Sequence, residues 1–108
     1  MEPFEIGEYV SSDGHSPLGA WFSELEARAA AKVTVVLARI AQGNFSDVKA
    51  VGAGVLERRI DYEPSFRLYF GKDGGRIVIL LAGGTKRRQQ ADIERAQARW
   101  RDYGDRKT

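Results

Sequence analysis

Gly54-Val55-Leu56-Glu57-Arg58-Arg59-Ile60, then Phe66-Arg67-Leu68-Tyr69-Phe70, then Ile77-Val78-Ile79-Leu80-Leu81, is the stretch that decides the fold. Its first two runs alternate with period two, the signature of strands with one buried face. Leu56 and Ile60 point one way and Glu57 and Arg59 the other. Phe66, Leu68 and Phe70 form one face of the next run, with Arg67 and Tyr69 opposite. If Ile60 pairs with Phe66, then Leu56 pairs with Phe70, Arg59 with Arg67 and Glu57 with Tyr69. Arg58 breaks the pattern, because it shares a face with Leu56 and Ile60. It is expected near an edge, its stem buried and its head reaching out. Ile77 to Ala82 is apolar on both faces, as an inner strand should be.

Turn chemistry separates these runs. Asp61-Tyr62-Glu63-Pro64-Ser65 reads as one turn and Lys72-Asp73-Gly74-Gly75 as a hairpin turn. The period of two begins at Val48, so four β segments are expected between Val48 and Thr85. A final helix should begin near Gln89 or Gln90, with Ile93, Ala96, Trp100 and Tyr103 along one side and frayed residues from Gly104 to Thr108.

Working back toward the N-terminus, Ser16-Pro17 is a helix cap followed by proline at the first helical position. Leu18, Trp21, Phe22 and Leu25 follow at helical spacing, and Val33, Val36, Leu37 and Ile40 repeat it. Gly43-Asn44 closes the helical region. One long helix and a helical hairpin both satisfy this pattern. Phe4, Ile6 and Tyr9-Val10 suggest a short opening strand. The order is thus β, one or two α, four β, α, in one domain covering residues 1–108.

Composition excludes several chemistries. The chain has no cysteine and one histidine, His15, which rules out disulfides, thiolate metal sites and His-rich metal sites. No apolar run approaches the roughly 20 residues that span a bilayer. The acidic start lacks a signal-peptide pattern, so a soluble cytoplasmic protein with no membrane partner is expected. Glu57, Asp61 and Glu63 are interleaved with basic residues, which argues against a bare acidic metal cage. No Ser/His/Asp constellation is visible, and no phosphate-binding P-loop motif.

The net charge of +2 hides an asymmetry. Residues 1–48 carry three Lys/Arg against seven Asp/Glu, a net of −4. Residues 49–108 carry fourteen against eight, a net of +6. An anionic partner for the C-terminal half follows. Two cations facing each other across a strand pair are destabilising, so Arg59 and Arg67 invite an anion, unless Glu57 neutralises them. Lys86-Arg87-Arg88 lies between a strand end and a helix start, where free amides favour phosphate. Gly83-Gly84 would let backbone approach a ligand closely.

The chain resembles the RelE/ParE superfamily of type II toxin–antitoxin toxins, and most of all the HigB-like "addiction module killer protein" branch. The resemblance rests on Lys49-Ala50-Val51-Gly52-Ala53-Gly54-Val55, on Glu57-Arg58-Arg59-Ile60 where the family usually has E-L-R-I, on Phe66-Arg67-Leu68-Tyr69-Phe70, on Leu80-Leu81-Ala82-Gly83-Gly84-Thr85-Lys86, and on Gln89, Asp92, Ile93 and Ala96. It implies an α+β, RelE-like fold: a small, mainly antiparallel sheet against an N-terminal helical hairpin, broken near Glu26 to Ala30, and a C-terminal helix. It implies a metal-independent and cofactor-free, ribosome-dependent mRNA endonuclease that inhibits translation. Its partners would be mRNA, the ribosome and a cognate helix-turn-helix antitoxin; self-association as a homodimer stays open. Arg59, Arg67, Lys86 and Tyr69 are the implied catalytic residues, and Lys49, Arg58, Arg87 and Arg88 the implied RNA-binding ones. Arg58 departs from the family's leucine. A ParE-like, non-enzymatic inhibitor of DNA gyrase is the alternative, followed by a degenerate toxin that only binds its antitoxin.

Overall fold

The computed structural model describes residues 3–62 and 65–107. Among these residues five strands form one sheet in the order β1-β5-β4-β3-β2. The strands are β1 (Glu5–Glu8), β2 (Val48–Ala50), β3 (Leu56–Ile60), β4 (Phe66–Asp73) and β5 (Ile77–Thr85); the helices are α1 (Pro17–Ser23), α2 (Ala27–Ala41) and α3 (Gln89–Lys107). The β1–β5 pairing is parallel and the other three are antiparallel. The molecule is therefore α+β with a mixed sheet. Of the turn expected at Asp61 to Ser65, Glu63 and Pro64 lie outside the described residues.

The register of β3 on β4 is the one the alternation dictates: Leu56 faces Phe70, Glu57 faces Tyr69, Arg59 faces Arg67 and Ile60 faces Phe66. A one-residue slip would turn Phe66, Leu68 and Phe70 out of the core, so burial fixes this pairing. The hairpin turn after β4 is shorter than expected, because β4 continues through Asp73.

Two cores lie on opposite faces of the sheet. One joins Leu68, Phe70, Val78 and Leu80 to Leu18, Val33, Val36 and Ile40 of α1 and α2. The other joins Tyr69, Ile79, Leu81 and Ala82 to Ala96, with Ile93, Trp100 and Tyr103 of α3 packed against it. A bulge lets β5 serve both: partners jump from Ala82 opposite Tyr69 to Leu80 opposite Phe70, so Leu81 and Ala82 both face α3. Arg99 Nη1 donates to the Leu81 carbonyl at 2.9 Å and ties the bulge to α3.

The helical region divides in two. The Ser16 hydroxyl accepts from the Gly19 amide, and Pro17 sits at the start of α1. The break falls at Glu24 to Glu26, just ahead of the expected position, and α2 ends before Gly43, whose φ of +88° needs a residue without Cβ. Residues 104–107 are helical rather than frayed, because α3 runs to Lys107, and Thr108 lies outside the described residues. Tyr103 donates to Asp73 at 2.6 Å, Lys107 pairs with the same carboxylate, and Arg106 bonds both Asp102 and the Val10 carbonyl.

Candidate nucleic-acid interface

The alternation of β3 and β4 places Glu57, Arg59, Arg67 and Tyr69 on the α3 side of the sheet, and Lys49 of β2 joins them opposite Glu57. Glu57 is the centre. It is only 3% exposed. Gln89 Nε2, at the start of α3, donates to its Oε2 at 2.9 Å; Lys49 Nζ lies 3.6 Å from Oε1, and Arg67 Nε 3.8 Å from Oε2. The repulsion between Arg59 and Arg67 is thus relieved on one side: Glu57 serves Arg67. Arg59 is exposed and makes no ion pair or hydrogen bond with a described residue.

Arg67 is enclosed, and its Nε and Nη1 have no hydrogen-bond partner among the described residues. The Glu57 charge, close but not hydrogen-bonded, offsets part of the cost of that burial. Tyr69 is fully buried, and its hydroxyl also has no hydrogen-bond partner among the described residues. Burial first, then the neighbouring Glu57 carboxylate, holds its phenol far above the ordinary value of 10.0. Tyr69, one of the implied catalytic residues, is therefore enclosed rather than open at the surface. The alternation placed it on the right face, but α3 covers that face.

Arg58 stands on the opposite side, among the α2-facing residues. Its Nη1 donates to the Ser46 carbonyl at 2.6 Å and lies 3.6 Å from the Asp47 carboxylate. Its role is to hold the 44–47 segment against β3, which explains how a charge occupies the apolar side of the strand.

Lys49, Arg58, Arg59 and Arg67 line one open cleft of about 950 Å³. The cleft also takes in Arg28, Lys32, Val35 and Arg39 of α2, so it runs round the outer edge of β3, where β2 pairs only as far as Arg58. Among the described residues its lining holds seven Lys or Arg against three Asp or Glu, a balance that gives it a positive potential. Sequence reading missed the α2 cations because they lie in the net acidic half. Their spacing, 28, 32 and 39, was the signal that could have found them.

Lys86, Arg87 and Arg88 form a single exposed 3-10 turn outside this lining. Arg67 pairs with Gly84 and the Lys86 amide donates to the Ser65 carbonyl, so the turn opens at the sheet end that carries Arg59 and Arg67. Gly83 and Gly84 do not make room for a ligand. A Cβ on Gly83 would lie 2.2 Å from the Trp21 ring, and one on Gly84 1.9 Å from Asp92 Oδ2. The protein's own side chains fill both spaces.

The fold and the cleft define a small α+β protein with a groove at one sheet edge lined mostly by basic residues. Residues 20–101 match the family of phage-derived proteins described as Gp49-like (DUF891). A Haemophilus influenzae protein, itself named only as uncharacterized, is 40% identical over 86 residues, covering 79% of this chain and 87% of that relative. The chain belongs to the Gp49-like family, a family of RelE-like, toxin-like proteins.

Proposed function

We propose that this protein is the toxin of a type II toxin–antitoxin module, of the HigB-like kind, and that it cleaves mRNA on the ribosome without a metal ion. The observation that carries this reading is the Arg59–Arg67 pair set beside Lys49 around Glu57. Attack of an RNA 2′-hydroxyl on its own phosphorus builds negative charge on the phosphorane oxygens. Arg59, exposed and unpaired among the described residues, supplies a bidentate donor for them. Arg67 adds positive potential from beneath. The P–O5′ bond breaks, leaving a 2′,3′-cyclic phosphate and a 5′-hydroxyl. The 2′-hydroxyl proton leaves to solvent water, and Lys49 or Lys86 supplies the proton to the departing O5′. Arg87 and Arg88 hold flanking phosphates. The cognate partner is a helix-turn-helix antitoxin, and the site of action is the cytoplasm.

Induced expression should stop growth, and primer extension should map cuts within translated codons. Arg59→Ala should lower cleavage on the order of a hundredfold, the cost of losing one charge-stabilising donor, with the melting temperature unchanged. Growth arrest with intact transcripts would refute the nuclease reading. The enclosure of Tyr69 favours one second reading, a non-enzymatic inhibitor of DNA gyrase, because it removes a candidate proton carrier. Gyrase-linked DNA breaks with intact mRNA would establish it.

A further inference from the structure

Arg67 and Glu57 are both enclosed on the cleft floor and stand side by side, yet they do not close into a hydrogen-bonded pair. Arg67 Nε stops 3.8 Å from Glu57 Oε2, outside hydrogen-bonding reach, and Nε and Nη1 both go without a partner among the described residues. Tyr69, opposite Glu57 across the strand pair, also has an unbonded hydroxyl among those residues. Buried donors left unpaired are unfavourable and call for a physical reason. A shift of the carboxylate by about 1 Å would bring it within bonding distance of Arg67.

Gln89 opposes that shift. Its Nε2 donates to the same Oε2 at 2.9 Å, while Lys49 Nζ stands 3.6 Å from the other oxygen. A carboxylate oxygen accepts from two donors at once, so the shortfall at Arg67 is one of position: the carboxylate is tethered from the α3 side. The tether is itself fixed. Gln89 is half-buried where the 3-10 turn meets α3, its backbone amide donates to the Lys86 carbonyl, and the Lys86 amide bonds Ser65. We propose that Gln89 is a positioning residue that withholds Glu57 from Arg67, so that the enclosed arginine keeps its positive potential for an anion in the cleft. Freed of Gln89, Glu57 would close on Arg67, bond its orphan donors and neutralise it. The fold thus tolerates a local violation of polar pairing where it serves binding. The proposal concerns the cleft whatever anion it takes, and does not require that the protein cleave RNA.

The test uses the full chain and Gln89→Leu, which keeps helix propensity and removes the donor. In NMR spectra the Arg67 Nε–H resonance should shift and exchange with water more slowly, because the proton becomes bonded. The melting temperature should equal or exceed the parent's, the reverse of what losing a merely structural hydrogen bond does. Calorimetric titration with inorganic tripolyphosphate should show affinity lower by about fivefold. Glu57→Gln supplies the second background. It has no charge to close on Arg67, so adding Gln89→Leu there should change tripolyphosphate affinity by less than about twofold. A lowered melting temperature with an unmoved Arg67 resonance would make Gln89 a structural tie only and overturn the proposal. Unchanged tripolyphosphate affinity in Gln89→Leu overturns it equally, as does a parent that does not bind tripolyphosphate, or an equal loss in the Glu57→Gln background. None of these readouts involves growth or cleavage, so failure here is separate from failure of the nuclease reading.

Discussion

Adjacent residues on β5 show how differently the two faces of this sheet are built. Gly83 opens toward α1, where Trp21 fills its space; Gly84 opens toward α3, where the Asp92 carboxylate does. The α1/α2 face is an apolar core with, among the described residues, one buried charge, Arg58. The α3 face buries Glu57, Arg67 and Asp92 beside Tyr69; Gln89, Lys49 and Arg67 converge on Glu57, and Asp92 pairs with Arg95. An apolar core tolerates exchange of like for like, whereas a buried ionic cluster fails when one member leaves its partner uncompensated. The α3 face is therefore the fragile one, and it is the one that carries the arginine pair.

The sharpest way to break that contrast is Glu57→Ala. It leaves Arg67 enclosed without its carboxylate, and buried pairs broken on one side cost about 3 kcal/mol or more. Denaturant melts should show that loss. Glu57→Gln, which keeps the shape, should recover less than half of it. A Glu57→Ala protein as stable as the parent would mean that Arg67 finds an anion elsewhere, and the two faces would no longer differ in kind. Gly83→Ala comes next. Its Cβ meets the Trp21 ring rather than a flexible chain end, and overpacking of this kind costs about 1–3 kcal/mol.

How far the sequence reveals this architecture depends on the kind of contact. Period-two alternation with a turn signal is enough to set the β3–β4 register, because burial of Phe66, Leu68 and Phe70 admits one pairing. Arg59 and Arg67 come out as neighbours for the same reason. What alternation cannot convey is which element covers the second face. Tyr69 and Arg67 look exposed in a strand pattern and are enclosed because α3 lies over them. The Gly83-Gly84 step was equally ambiguous, since a bare backbone admits a ligand or a tryptophan with no difference in local sequence. The α2 stripe was hidden by averaging charge over half the chain, although its helical spacing was present. The C-terminal residues looked frayed because Asp73, their anchor, lies 30 residues or more away.

Arg58 tests the contrast from the other side. It occupies the apolar face, its Nε has no hydrogen-bond partner among the described residues, and Asp47, its ion-pair partner, is 78% exposed. Exchanging a buried ion for a hydrophobe of similar volume is often neutral or stabilising by about 1 kcal/mol or more. Arg58→Leu should therefore leave stability unchanged or raise it slightly, in opposition to Glu57→Ala. The Ser46 carbonyl it releases is on an exposed residue and can turn to water. A large loss of stability would show that Arg58 is as indispensable as Glu57.

The smallest effect belongs to the far end of the α3 face. Hydrogen bonds from Lys107 and Tyr103 hold the Asp73 carboxyl below its ordinary value of 3.8. A carboxylate whose folded pKa is lowered contributes stability that is fully present above its unfolded value and is lost as pH falls through the folded one. Acidification below about pH 4 should thus loosen the last turn of α3 first, while the β3–β4 pairing persists. Amide exchange should report the loss at residues 103–107 before any change at Leu68 or Phe70. Asp73→Asn should remove that pH dependence and leave the turn as loose at neutral pH as the parent is in acid. If the variant keeps the parent's protection at neutral pH, then Arg106, through Asp102 and the Val10 carbonyl, is the tie that holds the helix end.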